Sequence, residues 1–452
     1  MNILLIGNGA REHAIAEAIM RSRHNPRLFA YMKANNPGIA ALADKKEIGG
    51  YDDLAKIISF AQDHGVTLAI IGPEEPLANG VADALESVGI PTVGPLKELA
   101  QLETSKVFTR ELLTEYHIPG NPSYFVYKAG QLWDLRQHLR SLEVLRQEYV
   151  LKPDGLTGGK GVMVQGDHFT THDQAMDIAE QMLKKHGRIL LEKKLKGEEF
   201  SLQCFCDGVN IVAMPPVQDH KRRLVGDKGL NTGGMGSYSC ADHLLPFLCQ
   251  HELMEATDIV RQTIRALLLK TGHYYKGIIY GGFMVTKNGV KLIEYNARFG
   301  DPEAMNVLPL LETDFLDICR SITLRWKYGQ LSELNIKFKP LATVCKYIVP
   351  VNYSMPEDQH VPTDSNIIHI GDLGKATLYH SSIFGDEEGA YHMTSSRAVA
   401  VLGKANDLAE AEKIAEQAAC AITGDVAHRP DIGTAALIAK RVRHMEELRS
   451  AK

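Results

Sequence analysis

Cysteine is scarce in this chain: seven in 452 residues, an odd number with no paired CxxC spacing. That excludes a disulfide framework and points to a reducing compartment. Cys204 and Cys206 alternate within FSLQCFC as buried strand residues would. The eighteen histidines contain no HExxH or comparable pair, so zinc catalysis is not expected. Long apolar runs are also missing. Nothing reaches the ~18 consecutive apolar residues that span a bilayer, and MNILLIGNGAREH opens as a strand and turn rather than a signal peptide. A soluble, unsecreted, cytoplasmic protein is expected. Neither sign of charge dominates: 50 Lys plus Arg against 55 Asp plus Glu leave a net charge of −5, so no global field draws DNA, RNA or anionic lipid. Hydrophobic (44%) and charged (23%) fractions are those of folded globular chains, which excludes disorder and coiled coil. At roughly 150 residues per domain, about three domains are expected.

What is present is strand and helix patterning. Apolar runs at Asn2 to Ile6, Arg27 to Tyr31, Leu68 to Ile71 and Pro91 to Val93 alternate with helical stretches such as Asp52 to His64 and Ala78 to Val88. Such alternation predicts a parallel sheet with helices on both faces. Gly7-Asn8-Gly9-Ala10-Arg11-Glu12 begins like a dinucleotide fingerprint. However, Glu12 replaces its third glycine, and RLFAYMKANN ends without the acidic residue that holds a ribose. What survives is a glycine turn at a helix start, where free N–H groups and Arg11 suit the phosphate of a small molecule. Glu74 or Glu75, just beyond a strand end in GPEEPL, could meet a hydroxyl or amine. Lys106 opens a helix in TSKVF.

The middle of the chain carries more chemistry. Strands Tyr149 to Lys152 and Val162 to Val164 flank the glycine loop of KPDGLTGGKGV. Lys160 is followed by Gly161 and an extended segment, so this is no Walker A loop. It reads as a flap whose N–H groups and lysines can meet nucleotide phosphates. The apolar strand at Ile189 runs into the charged segment Glu192 to Glu199, which could meet an adenine edge and ribose. Asp219-His220-Lys221-Arg222-Arg223 and Asn231-Thr232-Gly233-Gly234-Met235-Gly236 bracket a long polar stretch of a kind that is usually functional. There the glycines offer N–H groups to an anion and Asp219 can orient an amine, while His220 and His273 read as ordinary histidines. A helix from Glu252 to Leu269 leads to strands Gly277 to Val285 and Val290 to Tyr295. Period-two alternation places Leu292, Glu294 and Asn296 on one face. Glu294 and Asn296 are hard oxygen donors of the kind magnesium accepts beside nucleotide phosphates. Arg298 and Asp301 follow, the guanidinium suited to a carboxylate or phosphate.

KPDGLTGGKGV, EKKLKGEE, QDHKR, NTGGMG and IEYNARFGDPE stand in the order and rough spacing of an ATP-grasp ligase. With GNGAREHA, GPEEPL and QLETSKVF, the chain resembles the phosphoribosylamine–glycine ligase (GAR synthetase) family of purine biosynthesis over essentially its whole length. The resemblance implies a multidomain α/β and α+β fold. Its parts are a pre-ATP-grasp parallel-sheet domain (1–102), a central ATP-grasp domain (103–120 and 190–327), a mobile lid (121–189) and an α+β C-terminal domain (328–452). It also implies a reaction, in which ATP, glycine and 5-phosphoribosylamine give glycinamide ribonucleotide, ADP and phosphate through glycyl phosphate, with Mg2+ or Mn2+.

By matching motifs, the resemblance assigns ATP phosphates to Lys106, Lys152 and the loop Gly158, Gly159, Lys160 and Gly161. Adenine and ribose fall to Glu192, Leu195 and Glu199, and the metal to Glu294 and Asn296. Gly9, Arg11, Glu74, Asp219, Lys221, Gly233 and Gly234 fall to phosphoribosylamine, Arg298 to glycine and its acyl phosphate, and catalysis to Arg298, Lys160 and Asp219. Glycine and phosphoribosylamine would be its small-molecule partners, with neighbouring purine-pathway enzymes as further ones, in a monomer or homodimer.

The chain departs from the pattern in places. Gly281-Gly282-Phe283-Met284 offers no carboxylate on the strand where many ATP-grasp enzymes have one, and Lys193 and Lys194 replace acidic and aromatic residues near the adenine. Ala34-Asn35-Asn36-Pro37-Gly38 reorders a proline-glycine-asparagine segment. The C-terminal part shows no recognisable chemistry and is expected to complete the active-site wall. The rivals are an ATP-grasp enzyme with another acceptor and a catalytically silent nucleotide-binding scaffold.

Overall fold

The computed structural model describes residues 1–158, 161–324 and 330–451. Its first sheet is wholly parallel, in the order Lys45–Ile48, Arg27–Met32, Asn2–Ile6, Leu68–Ile71, Thr92–Val93. Asn2–Ile6 lies at the centre with Ile3 to Ile6 fully buried, which explains its unbroken apolar run. The edge strand Lys45–Ile48 reads KKEI, and its charges hid it from apolar patterning while keeping an open edge soluble. The helix expected from Ala78 to Val88 is instead two, Glu74–Asn79 and Val81–Ser87, because Gly80 takes the left-handed conformation (φ 84°) and ends the first. Glu74 thereby begins a short helix beyond the strand Leu68–Ile71.

A second sheet is antiparallel, in the order Ile211–Ala213, Glu198–Cys206, Gly277–Thr286, Gly289–Asn296. The helix Gln250–Thr271 packs against it, and its Thr263 hydroxyl lies 2.8 Å from that of Tyr295. In the last strand pair Gly282 faces Glu294 while Phe283 faces Leu292, which leaves Ile293 as an extra, bulged residue. The bulge corrects the alternation expected from the sequence. Val290 and Leu292 are buried in the core, whereas Ile293, Glu294 and Asn296 border the cleft. Without the extra residue, Glu294 would share the core face of Leu292.

Strands Tyr124–Lys128, Arg188–Lys193, Tyr149–Pro153 and Met163–Val164 form a four-stranded sheet covered by helices Leu132–Val144 and His172–His186. Its core, including Leu135, Leu139, Leu151, Met176 and Leu191, is separate from the main one. Helix His172–His186 starts on a Thr171–Gln174 capping box and ends on Gly187 (φ 74°) after Lys184, Lys185 and His186, so its termini are matched to both cap chemistry and dipole.

The C-terminal part is joined to the centre by hydrogen bonds. Strand Ala342–Pro350 pairs with Gly236–Ser239 on one side and Val399–Ala405 on the other, in a sheet that also holds Gln218–Asp219 and Thr377–His380. Helix Leu408–Cys420 covers that sheet so closely that a Cβ at Gly403 would lie 1.9 Å from the Ala411 carbonyl oxygen. Among the described residues no helix is long and apolar enough to cross a membrane.

Candidate active site

Two adjoining cavities, of about 230 and about 370 Å3, lie among the sheets and share Glu192, Asp219, Lys221, Ile293 and Glu294 in their walls. The smaller is walled by arginines and carboxylates. Arg298 extends from just beyond the bulged strand. Its Nη2 donates to Glu103 Oε1 (2.9 Å) and Asn296 Oδ1 (3.3 Å), its Nη1 to the Phe299 carbonyl (3.0 Å), and its Nε lies 3.3 Å from Glu74 Oε2. Arg11 donates to Phe299 O (3.1 Å) and to Glu12 (2.5 Å). Burial would raise the Glu74 carboxyl, but Arg298 and Arg11 hold it at about 2, so it is fully ionised at neutral pH.

Glu12 threads between the strand ends. A Cβ at Gly7 or Gly72 would lie 2.4 or 2.3 Å from its side chain, so both positions require glycine. Its Oε2 accepts the Gly9 N–H at 2.6 Å. The amide expected to bind an external phosphate is thus already engaged by the chain's own carboxylate, and Gly9 does not line either cavity. Arg11 does.

Asp219 and Glu303 border the same cavity. Burial, then the charge of Glu303, pushes the Asp219 carboxyl well up, with Lys221 and Arg397 opposing. Glu303 accepts from the Tyr280 hydroxyl at 2.9 Å. Two carboxylates in one wall, Glu303 buried and Asp219 half-buried, favour a cationic or amine-bearing guest. Gly234 (φ +112°) backs this corner, where a Cβ would meet Pro302 and Asp219 at 2.8 and 2.9 Å. Arg397 closes it: Nη1 donates to Gly233 O (2.8 Å), Gly234 O (3.2 Å) and Asp301 O (3.1 Å), Nη2 reaches Asp301 Oδ2 (3.1 Å), and the guanidinium lies over Tyr347 (4.3 Å). The C-terminal part, in which the sequence showed no recognisable chemistry but which was expected to complete the wall, supplies this half-buried arginine to it.

The other end is rich in lysine. Lys106, first residue of the helix Lys106–Glu115, donates to the Gly155 carbonyl at 2.8 Å. Ser105 Oγ and the Val107 N–H both bond Asp154, fixing that helix start to the glycine loop. Lys152 Nζ lies 2.7 Å from Glu192 Oε2, and Arg110 grips the same carboxylate at 2.8 and 3.1 Å. Burial would raise Glu192, but Arg110 and Lys152 hold it at about 2. Burial lowers the Lys106 ammonium, with Glu294 opposing. Lys221 Nζ sits 3.5 Å from Glu294 Oε1 and 3.9 Å from Glu199 Oε2. Against burial, Lys221, Lys106 and Lys152 keep Glu294 low and ionised. Leu195 and Glu199 border the larger cavity, and Gly158 and Gly233 the smaller. Gly159 and Lys160 lie outside the described residues. Gly161, at the loop's far side, packs on Thr157, with a built Cβ 2.8 Å from that side chain.

Of the two histidines singled out in the sequence, His220 is buried at the wall of the larger cavity with no hydrogen bond to either ring nitrogen among the described residues, and His273 is exposed, 3.7 Å from Glu98. Sequence reasoning missed Glu12, Glu103, Arg110, Tyr280, Glu303 and Arg397. Arg110 left a trace, being four residues after Lys106 on one helix face. Arg397 left none.

A nucleotide-sized cleft between an antiparallel sheet and a glycine-looped, four-stranded lobe is the arrangement of ATP-grasp proteins. The biotin carboxylase domain of the Hydrogenobacter thermophilus 2-oxoglutarate carboxylase, solved with MgADP, ADP and bicarbonate, shares it at a TM-score of 0.68 and 15% identity, over 98% of this chain and 93% of that one. The phosphoribosylamine–glycine ligase of Thermotoga maritima is similar at a TM-score of 0.76 and 22% identity, covering 95% of this chain and all of the other. Family models match residues 1–103 as the phosphoribosylglycinamide synthetase N domain and 104–304 as its ATP-grasp (A) domain. The phosphoribosylamine–glycine ligase of Methanosarcina barkeri is 46% identical over 450 residues, 99% of this chain and 100% of that protein. The chain belongs to the phosphoribosylglycinamide synthetase family.

Proposed function

We propose that this protein is an ATP-dependent ligase that joins glycine to 5-phosphoribosylamine, forming glycinamide ribonucleotide, ADP and phosphate, with residues 121–189 acting as a lid over the nucleotide. One observation carries the proposal. The smaller cavity, lined by Arg11, Arg298, Arg397 and Lys106, opens into the larger, lined by Lys152, Lys193 and Lys194, and Lys221 and Glu294 stand in both walls. Transfer of a phosphoryl group needs in-line placement and charge neutralisation more than a protein nucleophile. Lys106, Lys152 and Lys221 supply positive charge for the triphosphate, with Glu192, Leu195 and Glu199 around the nucleoside. Lys160, carried by the lid loop, would add a further charge on closure.

The residues present fit a divalent cation. Glu294 is an ionised carboxylate and Asn296 an amide oxygen on the same cleft-facing side of the bulge, a hard-oxygen pair of the type Mg2+ or Mn2+ accepts. Bound there, the ion would neutralise charge on the triphosphate.

Arg298, held by Glu74, Glu103 and Phe299 O, presents a fixed guanidinium to the carboxylate of glycine. A glycine oxygen forms the new O–P bond as the bond to ADP breaks, giving an acyl phosphate. The amine of phosphoribosylamine then forms the C–N bond as phosphate leaves. Asp219, whose pKa is raised by burial and by Glu303, would accept the proton the amine loses. Arg11, Glu74 and the Gly233–Gly234 turn held by Arg397 frame the phosphoribosylamine. An ADP-release assay tests the proposal. Steady turnover must require both glycine and phosphoribosylamine, and turnover with another acceptor, or with glycine omitted, would sink it.

A further inference from the structure

Outside the cleft, helix Leu408–Cys420 and the turn after strand Val426–Ala427 bring three metal-ligating side chains together. Glu416 and Cys420, one helical turn apart, meet His428, and one ligand atom from each lies within 4.8 Å of the others. His428 Nε2 is 3.1 Å from Glu416 Oε1, and Cys420 Sγ is 3.5 Å from the same oxygen. Zinc bonds of about 2.0 Å to oxygen or nitrogen and about 2.3 Å to sulfur, at the tetrahedral angle, separate ligand atoms by roughly 3.3 Å (N to O) and roughly 3.5 Å (S to O). The two spacings to Glu416 Oε1 match, and the sulfur and the ring nitrogen lie within 4.8 Å of each other.

The carboxylate is also oriented from behind. Lys346, wholly buried on strand Ala342–Pro350, donates to Glu416 Oε2 at 2.6 Å, to Glu412 Oε1 at 2.7 Å and to the Pro430 carbonyl at 2.9 Å. It turns Glu416 Oε1 outward and anchors the turn two residues beyond His428, the kind of outer-shell support that metal ligands receive. Two carboxylates face that one ammonium, so the pocket is not left cationic. Cys420 is exposed and His428 half-buried, which leaves an entry path and room for water as a fourth ligand.

We propose that Glu416, Cys420 and His428 bind a thiophilic divalent ion, with Zn2+ the best match to one thiolate, one imidazole and one carboxylate. The site is chemically unlike the hard-oxygen pair Glu294 and Asn296. The ion would tie the helix to the turn whose Arg429 donates to the Arg222 carbonyl (3.1 Å) and whose Asp431 accepts from the Gly226 N–H (2.9 Å). It would therefore brace the Arg222–Leu224 and Lys228–Asn231 hairpin at the rim of the larger cavity.

Cobalt(II) titration of the reduced, chelator-treated full-length protein tests this. The expected result is one equivalent of Co2+ giving a near-ultraviolet thiolate charge-transfer band and visible bands of a four-coordinate ion, displaced by Zn2+. C420S should abolish the charge-transfer band, and H428Q should weaken Zn2+ binding roughly a hundredfold. C249S, which removes another exposed cysteine, and E294A should leave the bands unchanged. Zn2+ should raise the melting temperature of the parent protein but not that of C420S, whose metal-free melt should coincide with the parent's. Absence of the charge-transfer band, or its survival in C420S, would show that the three side chains form only an ion pair with a bystander thiol.

Discussion

The two ends of the cleft are charged alike but built differently. Arg298 is held by two carboxylates, an amide oxygen and a carbonyl, and Arg397 by one carboxylate, three carbonyls and a tyrosine ring. Among the described residues Lys106 instead donates to a single loop carbonyl, Lys152 pairs with Glu192, and Lys221 stands 3.5 and 3.9 Å from its two carboxylates. The arginine end is fixed before any ligand arrives and suits the recognition of small, defined groups. At the lysine end, positive charge remains available to a flexible polyanion. The bulged strand joins the two, because it turns Glu294 toward the lysines and leads directly into Arg298.

Four perturbations separate the two ends. Glu294→Ala should lower turnover about 10³-fold with little change in melting temperature, and unchanged turnover would remove Glu294 from the metal role. Arg110→Ala leaves Glu192 with Lys152 alone. Since Arg110 and Glu192 are both buried, chemical denaturation should show a loss of about 3 kcal/mol, accompanied by weaker ATP binding. A loss near zero would mean the pair is not sealed from water. Arg298→Lys keeps the charge but not the fork, so kcat/KM for glycine should fall roughly 50-fold while the KM for ATP is kept. Equal effects on both substrates would erase the division between the ends.

The fourth perturbation is acid. Burial, and then the neighbouring His380 for His13 and Arg429 for His220, lowers both imidazoles to about 3. Each is neutral when folded and binds a proton when unfolded below its ordinary value near 6.5. Their stabilisation is therefore complete above about pH 6.5 and is lost as pH falls toward 3, by roughly 1.4 kcal/mol per pH unit for each histidine. Glu74 and Glu192, both held at about 2, begin to contribute losses only below about pH 4.5. Denaturation curves at pH 7.5 and 5.5 should differ accordingly, and His13→Gln should remove about half of the difference, leaving the share of His220.

Much of the fold was legible because local signals agreed with the packing. The buried run Asn2–Ile6, the strands around the glycine loop and the turn before Val290 follow from apolar pattern and turn chemistry alone. The face of Glu294 was misread through Leu292, since a bulge depends on the register with Gly282 and Phe283 rather than on the strand's own residues. Arg397 was invisible for a related reason: it enters the wall only because Ala342–Pro350 pairs with a strand more than a hundred residues earlier. Glu416 and Cys420 show helical spacing in the sequence, but their meeting with His428 requires the intervening turn.

Oxygen-18 transfer tests the central claim most directly. With glycine labelled in both carboxylate oxygens, ATP and phosphoribosylamine in a single turnover, the account predicts inorganic phosphate carrying one labelled oxygen, handed over when the amide forms. Phosphate free of label, alongside normal formation of the amide product, would contradict activation of the glycine carboxylate by ATP in this cleft.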